Sequence, residues 1–435
     1  MTGKRLAFAA FGAALLSAVL AAQSSPPGQG QAPPARPQVV PPPPPTYRAA
    51  VDLVTTDVIT RDNAGQFVAD LKPGEFEVFE DGVKQDVIQL LMFHGGRQYS
   101  PLAAPAQTQR EGIILPPPRP TNDTAGRIFV FVVDDLHLDF RNTGRIRDLF
   151  KKIRQQLVHE GDMFAIVSTG PSSIAIDMTY DLKRLDEAMT KITGGGLRPA
   201  DILEGGSTSE GPTEVRYRAH VAFSTAYDLL TQLEQVHNRR KAVIYVSNGY
   251  DFNPFPASRA KAEQERMGTS TTGSGTDSSG QAYQNPQDDP TGLFNQQGQE
   301  FAAADLAREL AELTRTANRA NVSFYTIDPR GLVGMPDLDE TVDMTEWQDY
   351  VRMSQDSLRV LADETGGYAV VNSNDFDKAL KRIDAETSDY YVLGYYSNNP
   401  DPLRRNRRIE VKVTRKDVNV WARKGYSLKS NKGKK

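Results

Sequence analysis

The stretch Asp134-Asp135-Leu136-His137-Leu138-Asp139 gathers carboxylates and an imidazole within six residues. Asp135, His137 and Asp139, at alternate positions, could hold a divalent cation. Two carboxylates and an imidazole nitrogen suit Zn²⁺ or Mn²⁺ better than Mg²⁺, which wants an octahedron of oxygens. A metal-dependent hydrolase built on Asp135, His137 and Asp139 is one reading of that set. The other needs no metal: acidic residues just ahead of a helix satisfy its exposed N–H groups and complement its dipole, so Asp135 and Asp139 are also placed to cap one.

Other chemistries find less support. The 435 residues include no Cys, which excludes disulfides, thiolate metal sites, Cys nucleophiles, iron–sulfur clusters and a lipoprotein anchor. The five histidines show no HExxH spacing. Gly194-Gly195-Gly196 lacks the Lys and the strand-to-helix setting of a phosphate loop, and neither Ser172-Ser173 nor Ser247-Asn248-Gly249 forms a nucleophile elbow. Asp134-Asp135 would suit an aspartyl phosphatase, but no downstream Lys and acidic pair stands out. A net charge of −4 argues against nucleic acid as a partner. From Arg404 to Lys435, however, thirteen Lys or Arg face two acids. That end suits edge strands guarded by charge, or attraction to an anionic envelope surface.

Such residues act together only on a scaffold that gathers them. Ile128-Phe129-Val130-Phe131-Val132-Val133 is a continuous apolar run, the mark of a strand buried on both faces of a parallel sheet. Asn142 to Val158 then carries Ile146, Leu149, Phe150, Ile153 and Leu157 at helical spacing. The alternation continues with strands at 163–167, 242–246, 322–327 and 368–371, and helices at 182–192, 215–236, 301–317, 354–364 and 376–383. Repeated βα units predict an α/β domain over 124–388, an open, doubly wound, mostly parallel sheet that binds ligands at the C-terminal edge of its strands. Residues 252–298, rich in Gly, Ser, Thr, Gln and Asn without apolar period, are expected to be a disordered surface insertion.

Both flanks read as β structure. Over 47–95, Val51 to Thr60, an Asn63-Ala64-Gly65 turn and Gln66-Phe67-Val68 suggest a hairpin, followed by strands at 75–80 and 84–92. Over 389–428, Tyr390–Tyr396, Arg408–Val413 and Val418–Trp421 are three short strands that either extend the sheet or pack with the N-terminal β unit. A proline-rich connector, 96–123, separates the first flank from the α/β domain.

Phe131 to Asp139, Glu160 to Val167 and Arg240 to Asp251 together resemble the von Willebrand factor type A family. More narrowly, the chain resembles a bacterial, Acidobacteria-type subfamily of exported proteins known as VWFA-related. Gly65 to Gly82, Tyr391 to Tyr396 and Lys424 to Tyr426 resemble its N-terminal β segment and C-terminal end, so the likeness covers about residues 47 to 428. The resemblance implies a Rossmann-like A-domain with a metal-ion-dependent adhesion site, written Asp-x-Ser-x-Ser, joined by a Thr and an Asp from two later loops. Asp135 takes the first Asp, His137 and Asp139 stand for the two Ser, and Asn248 stands for the later Asp. Thr208 and Thr213 both lie in the loop that would supply the Thr. The site is thus degenerate, with no cofactor or a divalent cation as the expectation. Its ligand face would also include Asp251.

At the N-terminus, Lys4 and Arg5 precede an uncharged run from Leu6 to Ala22 with small residues at its end, the layout of a secretory signal over 1–22. Residues 23–46 hold ten of the 28 prolines and should form an extended tether. A basic tail, 429–435, closes the chain. The expectation is an exported protein, periplasmic, on the outer surface or secreted, touching membrane only if the N-terminal run stays uncleaved as an anchor. Its function would be non-enzymatic binding or adhesion to an unidentified protein in or on the cell envelope. A metal-dependent hydrolase and a structural envelope component without a discrete ligand are the alternatives.

Overall fold

The computed structural model describes residues 53–94, 97–100, 127–159, 161–204, 207–208, 211–236, 240–266, 290–335, 342–398 and 406–427. The expected signal, the tether, the connector from 101 onward, residues 267–289 of the expected insertion and the basic tail lie outside the described residues. Among the described residues, no helix is long and apolar enough to cross a membrane.

The chain opens with β1 (Leu53–Asp62), β2 (Phe76–Glu80), β3 (Val83–Gln85), β4 (Val87–His94) and β5 (Arg97–Tyr99). There follow β6 (Ile128–Val133), α1 (Thr143–Gln156), β7 (Met163–Ser168), β8 (Ala175–Thr179), α2 (Leu182–Lys191) and α3 (Pro199–Glu204). Next come β9 (Ser207–Thr208), β10 (Gly211–Pro212), α4 (Thr213–Leu233), β11 (Lys241–Val246), α5 (Pro256–Arg266) and α6 (Pro290–Ala320). The remainder is β12 (Val322–Ile327), α7 (Met344–Glu364), β13 (Ala369–Val370), α8 (Phe376–Ser388), β14 (Tyr390–Tyr396), β15 (Asn406–Val413), β16 (Val418–Ala422) and β17 (Gly425–Ser427).

The central sheet runs β13-β12-β11-β6-β7-β8, parallel except for β8. All six residues of β6 are buried, because helices cover both faces of the sheet. Phe129, Phe131 and Val133 pack with Leu149, Phe150 and Ile153 of α1 and with Leu380 and Ile383 of α8. Ile128, Val130 and Val132 pack on the other face with Phe223 of α4, Leu313 of α6 and Leu358 of α7. The apolar run that lacked any alternation therefore feeds two cores at once. This is the doubly wound, mostly parallel α/β sheet expected from the βα repeats.

Three local expectations change. Residues 252–266 are structured and 290–298 form the start of α6, although the whole of 252–298 was expected to lack structure. Phe252, Asn253 and Phe255 are buried, and Glu346 of α7 accepts from the Ala257 and Ser258 N–H groups at the start of α5. The helix expected at 354–364 begins at Met344, where Asp343 accepts from the Thr345 N–H. In place of the expected strand at 66–68, a single bridge joins Phe67 to Arg61.

The two β flanks interleave. One antiparallel sheet runs β16-β1-β14-β4-β5 and the other β17-β15-β2-β3. Val58, Val78, Leu90, Tyr391, Leu393 and Ile409 form their shared core. The N-terminal strands thus pair with C-terminal ones, as in β1 with β14 and β2 with β15. The pair of sheets meets the N-terminal ends of the parallel strands. There Arg240, just before β11, donates to Asp57 at 2.8 Å, and Arg423 donates to the carbonyls of Asn318 and Thr55. The opposite, C-terminal edge stays clear of the sandwich.

Candidate functional site

At that C-terminal edge the chain leaves β6 on one side toward β7 and later returns on the other side as β11. The crevice at such a reversal is where open α/β sheets bind ligands. Asp134 is the first residue after β6 and is fully buried. Four side chains donate to its carboxylate: His137 Nδ1 at 2.9 Å, Thr169 Oγ1 at 3.0 Å, Ser247 Oγ at 2.7 Å and Tyr250 OH at 2.8 Å. Burial alone would raise this carboxyl, yet the His137 imidazole and the Ser247 and Tyr250 hydroxyls outweigh it and hold it below the usual range. Burial and the Asp134 charge push the Tyr245 and Tyr250 hydroxyls, which also bond each other, well above the ordinary tyrosine value. A carboxylate can only accept, so His137 donates from Nδ1, leaving Nε2 as the ring atom available to the cavity it lines.

Glycines let the surrounding loops close in. The Ser247–Asp251 loop presses on α7 through Gly249, at φ +86°, where a Cβ would lie 2.0 Å from the Ser354 carbonyl oxygen. The Gly194–Gly196 run is a packing device: Gly195 N–H donates to the Asp135 carbonyl and Gly196 N–H to that of Leu138. A Cβ on Gly194 would come within 2.4 Å of the Leu138 oxygen.

The structure does not bring the sequence-derived candidates together. Asp135 turns toward the β7 exit, accepting from Thr169 Oγ1 at 3.1 Å and from the Ser172 N–H at 2.6 Å. Asp139 accepts from the Arg141 N–H at 2.8 Å as the cap of a short 3-10 turn, Phe140–Asn142, and pairs with the Arg141 guanidinium at 2.6 Å. Asn248 is buried; its carbonyl accepts from Arg330, while its side-chain Oδ1 has no partner among the described residues. Thr213 is an exposed first residue of α4 and does not line the cavity, and Thr208 lies in β9. The threonine that reaches the buried aspartate is Thr169, which follows β7.

These residues do not fit a divalent cation. The four donors already occupy both oxygens of Asp134, while the carboxylates of Asp135 and Asp139 are engaged in separate places. Among the described residues, no three His, Asp or Glu side chains gather in a way that could hold a metal ion. Asp139→Ala is therefore expected to act as the loss of a cap, lowering stability by about 1 kcal/mol in a urea titration, with no change in bound metal.

Beside Asp134 lies a cavity of about 260 Å³, floored by His137, Asn248, Tyr250 and Asp251 and walled by Leu197, Ile202, Val215, Trp347 and Tyr350. Leu332 and Met335, which also line it, are 62% and 79% exposed. Three arginines line it as well, each with a counter-charge: Arg141 with Asp139 at 2.6 Å, Arg218 with Glu214 at 2.7 Å and Arg330 with Asp328 at 2.9 Å. Among the described residues Asp251, at 8% exposure, has no such partner, and its carboxylate accepts one hydrogen bond there, from the Asn253 N–H at 3.0 Å. Burial pushes it up to about 6, against the opposing effects of that N–H and of Arg259, with Asp349 adding to the rise. Arg330, Trp347 and Tyr350 were not singled out from the sequence. The run Asp328-Pro329-Arg330-Gly331 directly after the apolar β12 was a usable signal, since loops at that edge carry ligand contacts.

No family model matches the chain, and no curated protein matches it. Several solved structures overlap it loosely. An aerotolerance-related membrane protein from Bacteroides fragilis is 10% identical, covering 60% of this chain and 98% of that one, with a TM-score of 0.30. The pilus adhesin SpaC from Lactobacillus rhamnosus GG is 8% identical, covering 71% of this chain and 40% of that one, with a TM-score of 0.30. The manganese-loaded TRAP protein from Plasmodium vivax is 10% identical, covering 69% and 93%, with a TM-score of 0.29. Overlaps this low leave the fold to be judged from its own strand order and connections.

Proposed function

We propose that the chain is an exported, non-enzymatic binding module of the von Willebrand A type, which grips a protein partner at the C-terminal edge of its parallel sheet without a bound cation. The observation that carries this reading is the Asp134 carboxylate. Four protein donors saturate it at the position where the sheet offers its ligand crevice. The crevice keeps the form of a binding site, with a concave polar floor, apolar walls and an exposed apolar rim at Leu332 and Met335. Among the described residues the β sandwich lies at the other end of the strands and does not cover this edge.

Capture of solubilised envelope proteins on the immobilised full chain tests the reading, with and without EDTA. Wild-type protein is expected to retain a partner equally in both conditions. A Leu332→Asp/Met335→Asp double variant, which changes exposed side chains, should keep its melting temperature within about 2 °C and lose the partner. Elution by EDTA would restore a metal-dependent site, and undiminished capture by the double variant would move the contact elsewhere.

A further inference from the structure

Every charged side chain lining the cavity has an opposite charge within ion-pair distance except Asp251. His137 sits against Asp134, and the three arginines against Asp139, Glu214 and Asp328. Asp251 is nine-tenths buried, lines the cavity and forms no ion pair among the described residues. Its Oδ2 takes no hydrogen bond there. A buried carboxylate without an ion-pair partner is costly, so such groups are found paired, neutralised or waiting for a ligand. Arg259, whose charge acts on Asp251, stands beyond ion-pair distance, and the single bond Asp251 accepts, from the Asn253 N–H, could be accepted equally by an amide oxygen.

The walls add a second observation. Trp347 and Tyr350 line the cavity and pack against each other and against Phe255, at ring separations of 5.8 Å, 6.4 Å and 4.9 Å. Aromatic faces attract cations, and an aliphatic stem fits an apolar rim such as Leu332 and Met335 while its charged head reaches polar ground. A long side chain with a terminal charge has that shape.

We infer that the cavity receives a lysine or arginine side chain of the protein partner, with Asp251 as its counter-charge. The inference rests on the proposed binding role of this edge and adds the chemistry of the group that enters. It places Asp251 at the ligand's charged end and leaves Asp134 and His137 as the floor that holds Tyr250 in place.

The test uses the full chain and four small probes: the N-acetyl, N-methylamide derivatives of lysine, arginine, norleucine and glutamate, followed by saturation-transfer NMR. The lysine and arginine probes are expected to bind at millimolar concentration, with norleucine and glutamate at least tenfold weaker. Asp251→Asn should remove that preference by a similar factor while the protein stays folded and no less heat-resistant. Binding of glutamate ahead of lysine, equal binding of norleucine and lysine, or an unchanged lysine preference in Asp251→Asn would each overturn the inference. The comparison among probes on wild-type protein decides the matter even where the variant does not fold. Should no cationic probe bind while partner capture still depends on Leu332 and Met335, the inference fails and the binding role of the edge stands.

Discussion

Asp134→Ala is expected to lower the unfolding free energy by about 4 kcal/mol, the largest loss from any single polar side chain at this edge. Four donors lose their acceptor together, in a place water cannot easily reach. Part of the loss is recovered locally, since Thr169 still has Asp135 and Tyr250 still has Tyr245, whereas Ser247, which accepts from the Gly249 N–H, keeps no acceptor for its own proton among the described residues. His137 Nδ1 has no such alternative among the described residues. Asp134→Asn keeps the shape but turns one acceptor into a donor facing hydroxyls, so it should lose less, since hydroxyl groups can rotate. Acid narrows the gap. The Asp134 carboxyl is held below its unfolded value, so its contribution is complete above the unfolded pKa of about 4 and fades as pH falls through the lower, folded one. Calorimetric melting of wild type, Asp134→Ala and Asp134→Asn at pH 7 and pH 3 checks each step. A loss under 1 kcal/mol at pH 7 would mean that the four hydrogen bonds do not hold the edge together.

An element was legible in the sequence where its burial left a regular apolar pattern, the unbroken run of β6 or the helical stripe of α1, and was missed where it did not. β6 announced itself because burial on both faces forces an unbroken apolar run. β8, an antiparallel edge strand with the pattern exposed, half-buried, exposed, exposed, half-buried, left no such trace. The first turns of α7 were hidden because their contacts are aromatic and polar, Trp347 and Tyr350 against Phe255 and Glu346 against the start of α5, rather than an aliphatic stripe. At the site, spacing pointed to Asp135, while the carboxylate that gathers four side-chain donors is its equally buried neighbour, Asp134. Successive residues at a strand end point to opposite sides, so one position decides which aspartate meets Ser247 and Tyr250 of the loop after β11. That register, like the arrival of Thr169 and Tyr250 from later loops, is a property of three strands meeting, and local spacing does not encode it. The pairing of β1 with β14 belongs to the same class, since alternation marks a strand but does not name its partner.

Asp251→Asn should move stability in the opposite direction, raising the unfolding free energy at neutral pH by roughly 3 kcal/mol. The carboxyl is pushed up to about 6 by burial, above its ordinary value of 3.8. The folded protein therefore binds a proton between those values that the unfolded chain has already lost. In that window stability falls as pH rises, and above pH 6 the full penalty of the buried charge is in force. The variant lacks the charge and keeps an oxygen for the Asn253 N–H, so it should melt several degrees higher than wild type at pH 7 and nearly level with it at pH 4. Melting curves of both proteins across pH 4 to 8 measure the convergence directly. A variant that melts lower than wild type at pH 7 would show that the Asp251 charge is compensated within the fold. A higher melting point identifies a residue that weakens the protein it belongs to, the usual mark of a group retained for what it binds.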